Sequence, residues 1–189
     1  MTFVKLLVSF SPWIAFLLIA KGTLLRVEIG LVVALALSVV MALLRLHRGI
    51  VMWVGLSFFT ATTIAVVGFH DLWTVAHLGV IAPGALALGS WAGLAVGQPF
   101  SLAYARQTTD PARWHDAVFI RTNVIITAIW ASAFTINTAS AWLLLEHQCP
   151  PWVSHTASYA ALVGAAAFTS WYPRQVRRSA QTEATEREP

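Results

Sequence analysis

The polar stretch over residues 97–130 carries the side chains of this chain that are best suited to chemistry. It reads GQPFSLAYARQTTDPARWHDAVFIRTNVIITAIW and is the longest polar interruption of an otherwise apolar sequence. Three of the twelve Lys and Arg residues fall here, interleaved with aromatic and aspartate side chains. Guanidinium groups form strong, charge-assisted hydrogen bonds with anionic oxygens. The stretch is therefore predicted to contact anionic groups.

Four residues of this stretch form the first candidate site. Asp110 followed by Pro111 is typical of a helix start, and a short helix there would lie at the headgroup level of a membrane before the next apolar run. Tyrosine and tryptophan would then act as interfacial aromatics, while arginine meets lipid phosphates. Plain membrane anchoring and a true binding site for a headgroup or a partner both fit the pattern. The candidate residues are Tyr104, Arg106, Arg113 and Trp114.

The second candidate site is a polar face on the apolar run that follows, over residues 122–145. Polar side chains recur there at helical spacing. An unpaired amide is costly in hydrocarbon, so this face is expected to look into a helix bundle. It is either a hydrogen-bond seam between helices or the wall of a polar cleft. The candidate residues are Asn123, Thr127, Trp130 and Asn137.

Other titratable residues give no clear site. The pairs His70–Asp71 and Glu146–His147 could handle protons, but they lie at the ends of apolar runs, where solvated turn residues are expected. His77 lies one turn inside an apolar run and is a candidate intramembrane titrating group. The sequence has no metal-ligand spacing, nucleophile elbow or phosphate loop, so no catalytic residue, metal site or cofactor is predicted.

The composition indicates which elements must position these residues. The chain is 58% hydrophobic and 11% charged, against about 25% charged in a soluble domain. Apolar runs of about 20 residues, long enough to cross a bilayer, recur along it. Because lipid leaves backbone groups to pair internally, and because the runs lack period-two alternation, helices are favoured. We therefore predict an all-α integral membrane protein, a bundle of about six transmembrane helices.

The spans and their cations predict an organisation and an orientation. A six-span domain is expected over residues 1–173, followed by a mobile, charged cytoplasmic tail over residues 174–189. Arginines cluster after the second and fourth spans and in the tail, so both termini are predicted to be cytoplasmic. This clustering also explains the pI of about 9.8 without nucleic acid as a partner. The predicted spans cover residues 3–20, 27–44, 50–69, 75–96, 122–145 and 152–172.

Three glycines four residues apart, Gly89, Gly93 and Gly97, mark the second half of the fourth span. Small residues at this spacing line one helix face and allow another helix to approach closely. The pattern predicts a tight helix contact without naming the partner.

Several short pieces of the sequence follow one another in a specific order: Ser11-Pro12-Trp13, Lys21, Arg45 and Arg48, Phe69-His70-Asp71-Leu72-Trp73, Pro99, Phe119 and Asn123. In this pattern the chain resembles the bacterial intracellular septation protein A family, small inner-membrane proteins of the YciB type. Asp71 stands where that family typically has Asn, so the resemblance is to a divergent branch.

The resemblance implies a non-enzymatic role in the bacterial inner membrane, supporting cell-envelope integrity or division through other membrane proteins. It brings no catalytic residues with it. Membrane lipids and envelope or division proteins are the expected partners. The alternative is a small membrane enzyme or carrier that handles a lipid or another apolar molecule in a cleft beside the fifth span.

Overall fold

The computed structural model describes residues 10–44 and 50–185, which form helices and short connections without any strand. The order of elements is α1 (Ser11–Ile19), α2 (Leu24–Leu43), α3 (Ile50–Thr63), a π-helical turn (Ile64–Gly68), α4 (Leu72–Ala95), α5 (Phe100–Ala105), two 3₁₀ turns (Arg106–Thr108 and Pro111–Arg113), α6 (Ala117–Leu145) and α7 (Pro151–Thr185).

Four of these helical stretches are long and apolar enough to cross a membrane: Leu24–Leu43, Ile50–Gly68, Leu72–Ala95 and Ala117–Leu145. They correspond to the predicted second, third, fourth and fifth spans. The all-α class and the multi-pass membrane character follow from them. The first and sixth predicted spans do not belong to this set, so the count of six stays a prediction.

Both ends of the chain differ from the expected spans. Residues 3–9 of the predicted first span lie outside the described residues, and α1 begins at Ser11 with Pro12 in its first turn, where a missing N–H is tolerated. At the other end, α7 continues through Pro173 to Thr185, so the predicted boundary after residue 173 does not coincide with a helix end. A proline inside a helix removes one hydrogen bond and kinks or breaks it; here the helix continues.

Each long helix packs against the next one in the chain, and the contact between α4 and α6 is the most extensive. The short α5 lies against α6. At the other side of the bundle, Trp13 stacks on Phe58 with ring centroids 5.0 Å apart and contacts Phe59 at 4.8 Å. Gly55 leaves room for the indole, since a Cβ there would lie 3.3 Å from Trp13 Nε1. An aromatic cluster thus joins α1 to α3.

Four of the described connections contain a residue with positive φ, the first being Gly22 before α2. Gly97, at φ +70°, ends α4: the Gln98 amide donates to the Gly93 carbonyl and the Gly97 amide to that of Leu94. This is a Schellman motif, which favours glycine. His147, at φ +54°, occupies the same position after α6, and His70, at φ +52°, follows the π-helical turn.

At Gly89 and Gly93, α4 packs directly against α3, which confirms the predicted tight contact at these two glycines. The third glycine, Gly97, lies past the end of α4 with no atom within 4 Å of an added Cβ, so it was wrongly assigned to this face. A Cβ on Gly89 would overlap Val54 Cγ2. A Cβ on Gly93 would lie 2.9 Å from the Gln98 carbonyl oxygen and 3.1 Å from Ile50 Cγ2. The first of these atoms belongs to the backbone of the adjoining turn and cannot move aside as a side chain can.

We predict that Gly93→Ala destabilises the bundle by about 1–3 kcal/mol, because the added methyl overpacks a closed contact. Alanine is intrinsically the better helix former by about 1 kcal/mol, so helix propensity alone would raise the stability of the variant. A loss of stability would therefore come from the packing contact. The control is Gly79→Ala in the same helix, where no atom lies within 4 Å of the added Cβ. Thermal unfolding in detergent measures both variants, and equal stability would contradict the packing argument.

Candidate functional site

Helix α5 is six residues long and is buried between the end of α4 and the start of α6. Its Pro99 N-cap forces the chain out of the preceding turn, and four of its side chains are removed from the surface. They are Phe100, Ser101, Leu102 and Tyr104. Tyr104 is 3% exposed, with Phe100 edge-on at a centroid distance of 6.5 Å. The structure therefore assigns Tyr104 to the core rather than to the surface aromatic position that was expected.

Ser101 joins α5 to the polar face of α6. Its hydroxyl donates to the Asn123 carbonyl oxygen at 2.8 Å, with Asn123 Oδ1 at 3.1 Å from the same donor. The Thr127 hydroxyl donates to Ser101 Oγ at 3.0 Å, while the Ser101 amide donates to Thr127 Oγ1 at 3.3 Å. All three residues are buried. Asn123 and Thr127 are thus used in a hydrogen-bonded packing contact, which we call the Ser101 cluster.

The other two residues of the predicted polar face point elsewhere. Trp130 Nε1 donates to Thr169 Oγ1 at 2.9 Å and so joins α6 to α7. Asn137 is half-buried and donates to the Ala133 carbonyl of its own helix at 2.8 Å. The four candidate residues of α6 therefore do not converge on one site.

Sequence reasoning did not identify Ser101 as the partner of this face. It is 22 residues from Asn123 and 26 from Thr127, and it sits in a short apolar segment. The only signal in the sequence was the serine itself between Pro99 and the start of α6. Its contact with α6 depends on how the chain turns after Gly97, which residue spacing does not specify.

The connection between α5 and α6 is arranged around Arg106 and Trp114. The Arg106 guanidinium carbon lies 5.7 Å from the centre of the Trp114 ring, a cation–π distance. Trp114 is fixed in turn, since its Nε1 donates to the Thr109 carbonyl at 3.0 Å. Arg113 points away into an exposed ion pair with Asp116, with N and O 3.8 Å apart. Of the first candidate set, the structure brings Arg106 and Trp114 into contact.

The helix expected from Pro111 is a single 3₁₀ turn, Pro111–Arg113. Asp110 caps it, as expected, by accepting from the Ala112 amide at 2.9 Å. A second aspartate, Asp116, caps α6 by accepting from the Val118 amide at 2.8 Å. Because this second cap starts a new helix, α6 begins at Ala117 instead of residue 122.

Asp71 is the N-cap of α4, and this structural role explains an aspartate at this position without any role in proton transfer. Its carboxylate accepts from the Trp73 amide at 3.0 Å and from the Thr74 amide at 3.3 Å. The Thr74 hydroxyl donates to Asp71 Oδ2 at 2.6 Å, and this hydrogen bond is the main reason why the pKa of Asp71 lies below its ordinary value. His77 stacks on Trp73 at 4.0 Å, and its Nδ1 lies 2.7 Å from the Trp73 carbonyl.

An open apolar groove of about 510 Å³ lies between α3 and α4, away from the polar face of α6. It is lined by Ile50, Val54, Ser57, Phe58, Ala61, Ala85, Leu88, Gly89 and Ala92. Its one hydroxyl, on Ser57, donates to the Trp53 carbonyl of its own helix at 2.8 Å. This groove is not the polar cleft considered for the fifth span.

Within the described residues, no group of three or more His, Cys, Asp or Glu side chains could hold a metal ion.

The chain matches no protein-family model, no curated protein and no solved structure. The resemblance to the septation protein A family therefore stays an interpretation of the sequence pattern.

We predict that Ser101→Ala destabilises the protein by about 1–2 kcal/mol, because the buried Asn123 Oδ1 loses its donor and the Thr127 hydroxyl loses its acceptor, while the Ser101 amide still donates to Thr127 Oγ1. Thr122→Ala is the matched control: its hydroxyl bonds the Val118 carbonyl of its own helix at 2.7 Å and joins no second element. We expect its effect to stay below about 0.5 kcal/mol. Unfolding of both variants in mild detergent is the measurement, and equal losses would show that the cluster adds nothing specific.

Proposed function

We propose that the protein is a non-enzymatic, multi-pass protein of the bacterial inner membrane that supports envelope integrity or division through other membrane proteins. The observation that supports the non-enzymatic part of this proposal is the Ser101 cluster. Polar residues inside membrane helices commonly mark substrate pathways. Here two buried residues of the candidate polar face, Asn123 and Thr127, are hydrogen-bonded to a neighbouring helix instead.

The outer surface supports the same proposal. Large apolar side chains stand exposed along the candidate spans, among them Trp53 at 65% and Leu88 at 74% exposure. An exposed apolar surface of this kind fits contact with lipid chains or with the helices of another membrane protein. Partners in the bilayer are therefore more consistent with this surface than partners in water.

The resemblance to the septation protein A family adds the cellular role to this proposal. The residues of the resemblance that the structure describes include the Phe69–Trp73 segment, in which Asp71 caps α4. Arg45 and Arg48 lie outside the described residues. The role in envelope integrity or division comes from the resemblance alone and needs a direct test.

Deleting the gene in the native host should produce misshapen, unseparated or osmotically fragile cells. Complementation by two variants then separates the proposal from a lipid-handling enzyme or carrier. Asn137→Leu removes a half-buried amide that bonds only its own helix, so we expect normal stability and full complementation. Asn123→Ala breaks the Ser101 cluster, so its complementation should fall in step with its stability.

The opposite pattern would contradict the proposal. If Asn137→Leu abolished function at normal melting temperature and abundance, the polar face of α6 would be contacting a substrate. A stoichiometric apolar molecule that co-purifies with the wild type and is lost from Asn137→Leu would lead to the same conclusion.

The proposed topology has six spans with both termini in the cytoplasm. The described cations that support it are Arg106 and Arg113 between α4 and α6, Arg121 near the start of α6, and Arg174 and Arg178 in the second half of α7. Lys21 and Arg26 fall on the opposite side and are partly offset by Glu28. The turns after α3 and α6 contain no Lys or Arg, as expected for the outer side.

Reporter fusions test this orientation. Fusions after Arg48, after Trp73 and at the C-terminus should report cytoplasmic, external and cytoplasmic positions, because the positive-inside bias acts on the short loops beside the spans. An external C-terminus would contradict the even number of spans.

A further inference from the structure

Arg106, in the loop between α5 and α6, has a donor that no other group of the described residues pairs. Its Nε is buried and has no hydrogen-bond partner. Among the described residues, the ion pair of this loop joins Arg113 to Asp116 and does not involve Arg106. Its contact within the loop is the Trp114 ring, 5.7 Å from the guanidinium carbon. An aromatic ring binds the face of a guanidinium and leaves the N–H donors at its edge free of the ring. Because Nε is enclosed by the protein, the four Nη–H donors are the ones that an outside acceptor would contact.

The fold holds this residue near the expected membrane surface. Helix α6 has 29 residues, which at 1.5 Å per residue is about 43 Å, longer than the roughly 30 Å hydrocarbon core. Its polar end, where Arg121 is exposed, is the end expected to project beyond that core. The Ser101 cluster ties α5 to Asn123 and Thr127 near this end. Arg106 directly follows α5 and therefore lies at headgroup depth.

We propose that Arg106 and Trp114 form a binding site for the phosphate group of an anionic membrane lipid. A phosphate offers oxygens that match the planar donor fork of arginine, and such contacts are bidentate and charge-assisted. Trp114 holds the guanidinium in place through its face and is itself fixed by the Thr109 carbonyl. This inference rests on the proposed membrane topology, because it needs the loop to lie at the bilayer surface.

Arg113 provides the matched comparison within the same loop. Its side chain is 61% exposed and faces Asp116 at 3.8 Å, so it already has an anionic neighbour. Removing Arg113 takes the same formal charge from the loop as removing Arg106. The affinity of a ligand attracted only by net charge would fall equally after both changes. The affinity of a ligand held specifically by Arg106 and Trp114 would fall only when Arg106 is replaced.

The test is native mass spectrometry of the full chain in dodecyl maltoside, titrated with phosphatidylglycerol, with phosphatidylcholine as the zwitterionic reference. Wild type should retain phosphatidylglycerol in preference to phosphatidylcholine. Arg106→Ala should weaken phosphatidylglycerol binding roughly tenfold or more, since charged hydrogen bonds are lost. Arg106→Lys should lose most of the same affinity because lysine lacks the planar fork. Arg113→Ala should stay close to wild type.

Melting temperatures of all variants in the same detergent accompany the titration. Should Arg106→Ala fail to fold, Arg106→Lys, which keeps the charge and the aliphatic stem, decides the outcome. Phosphatidylglycerol binding by Arg106→Lys equal to wild type would overturn the site, and so would an equal loss in Arg113→Ala.

A second arm distinguishes the source of the phosphate group. Inorganic phosphate is titrated into the same wild-type sample, and an acidic peptide of glutamates is titrated separately. Binding of inorganic phosphate or of the peptide through Arg106, without binding of phosphatidylglycerol, would overturn the lipid assignment. Failure of the lipid test would leave the reporter and complementation results unchanged. A wrong topology would be detected by the reporter fusions, whatever the lipid titration shows.

Discussion

The hydrogen bonds of Ser101 hold the short helix α5 against α6 in a place that water does not reach. Ser101, Asn123 and Thr127 are all buried, and Thr127 is fully enclosed. Interhelical hydrogen bonds in membrane proteins contribute about 0.6 kcal/mol each on average and up to about 1.7. Several such bonds fix a helix that is only six residues long and could not be stable by itself. The position of Arg106, the next residue, follows from this attachment.

The end of α4 makes a second contribution to the same arrangement. The Gly93 carbonyl accepts the Gln98 amide at 2.7 Å, and the missing Cβ of Gly93 leaves room for the Gln98 carbonyl. Gly93 therefore accepts the hydrogen bond that ends α4 and also leaves room for the turn that leads into α5. The same glycine face lets Ile50 and Val54 of α3 approach α4. Helix packing and loop position are thus fixed by the same atoms.

Much of the architecture could be predicted from the sequence because long apolar runs have few solutions in lipid. The close contact at Gly93 also followed from spacing alone. The predicted start of the fifth span at residue 122 was wrong because two aspartates cap helical segments here. Asp110 caps only a short turn, and Asp116, six residues later, caps the long helix from Ala117. Tyr104 was assigned to the surface because an interfacial aromatic and a core aromatic look identical in sequence. The Ser101 cluster depends on a long-range contact, which residue periodicity does not encode.

The π-helical turn at Ile64–Gly68 has a consequence for comparing this chain with relatives. A π turn closes over five residues where an α turn closes over four, so it accommodates one additional residue inside a helix. A relative with an uninterrupted α-helix here would therefore align with a single-residue gap within residues 64–68.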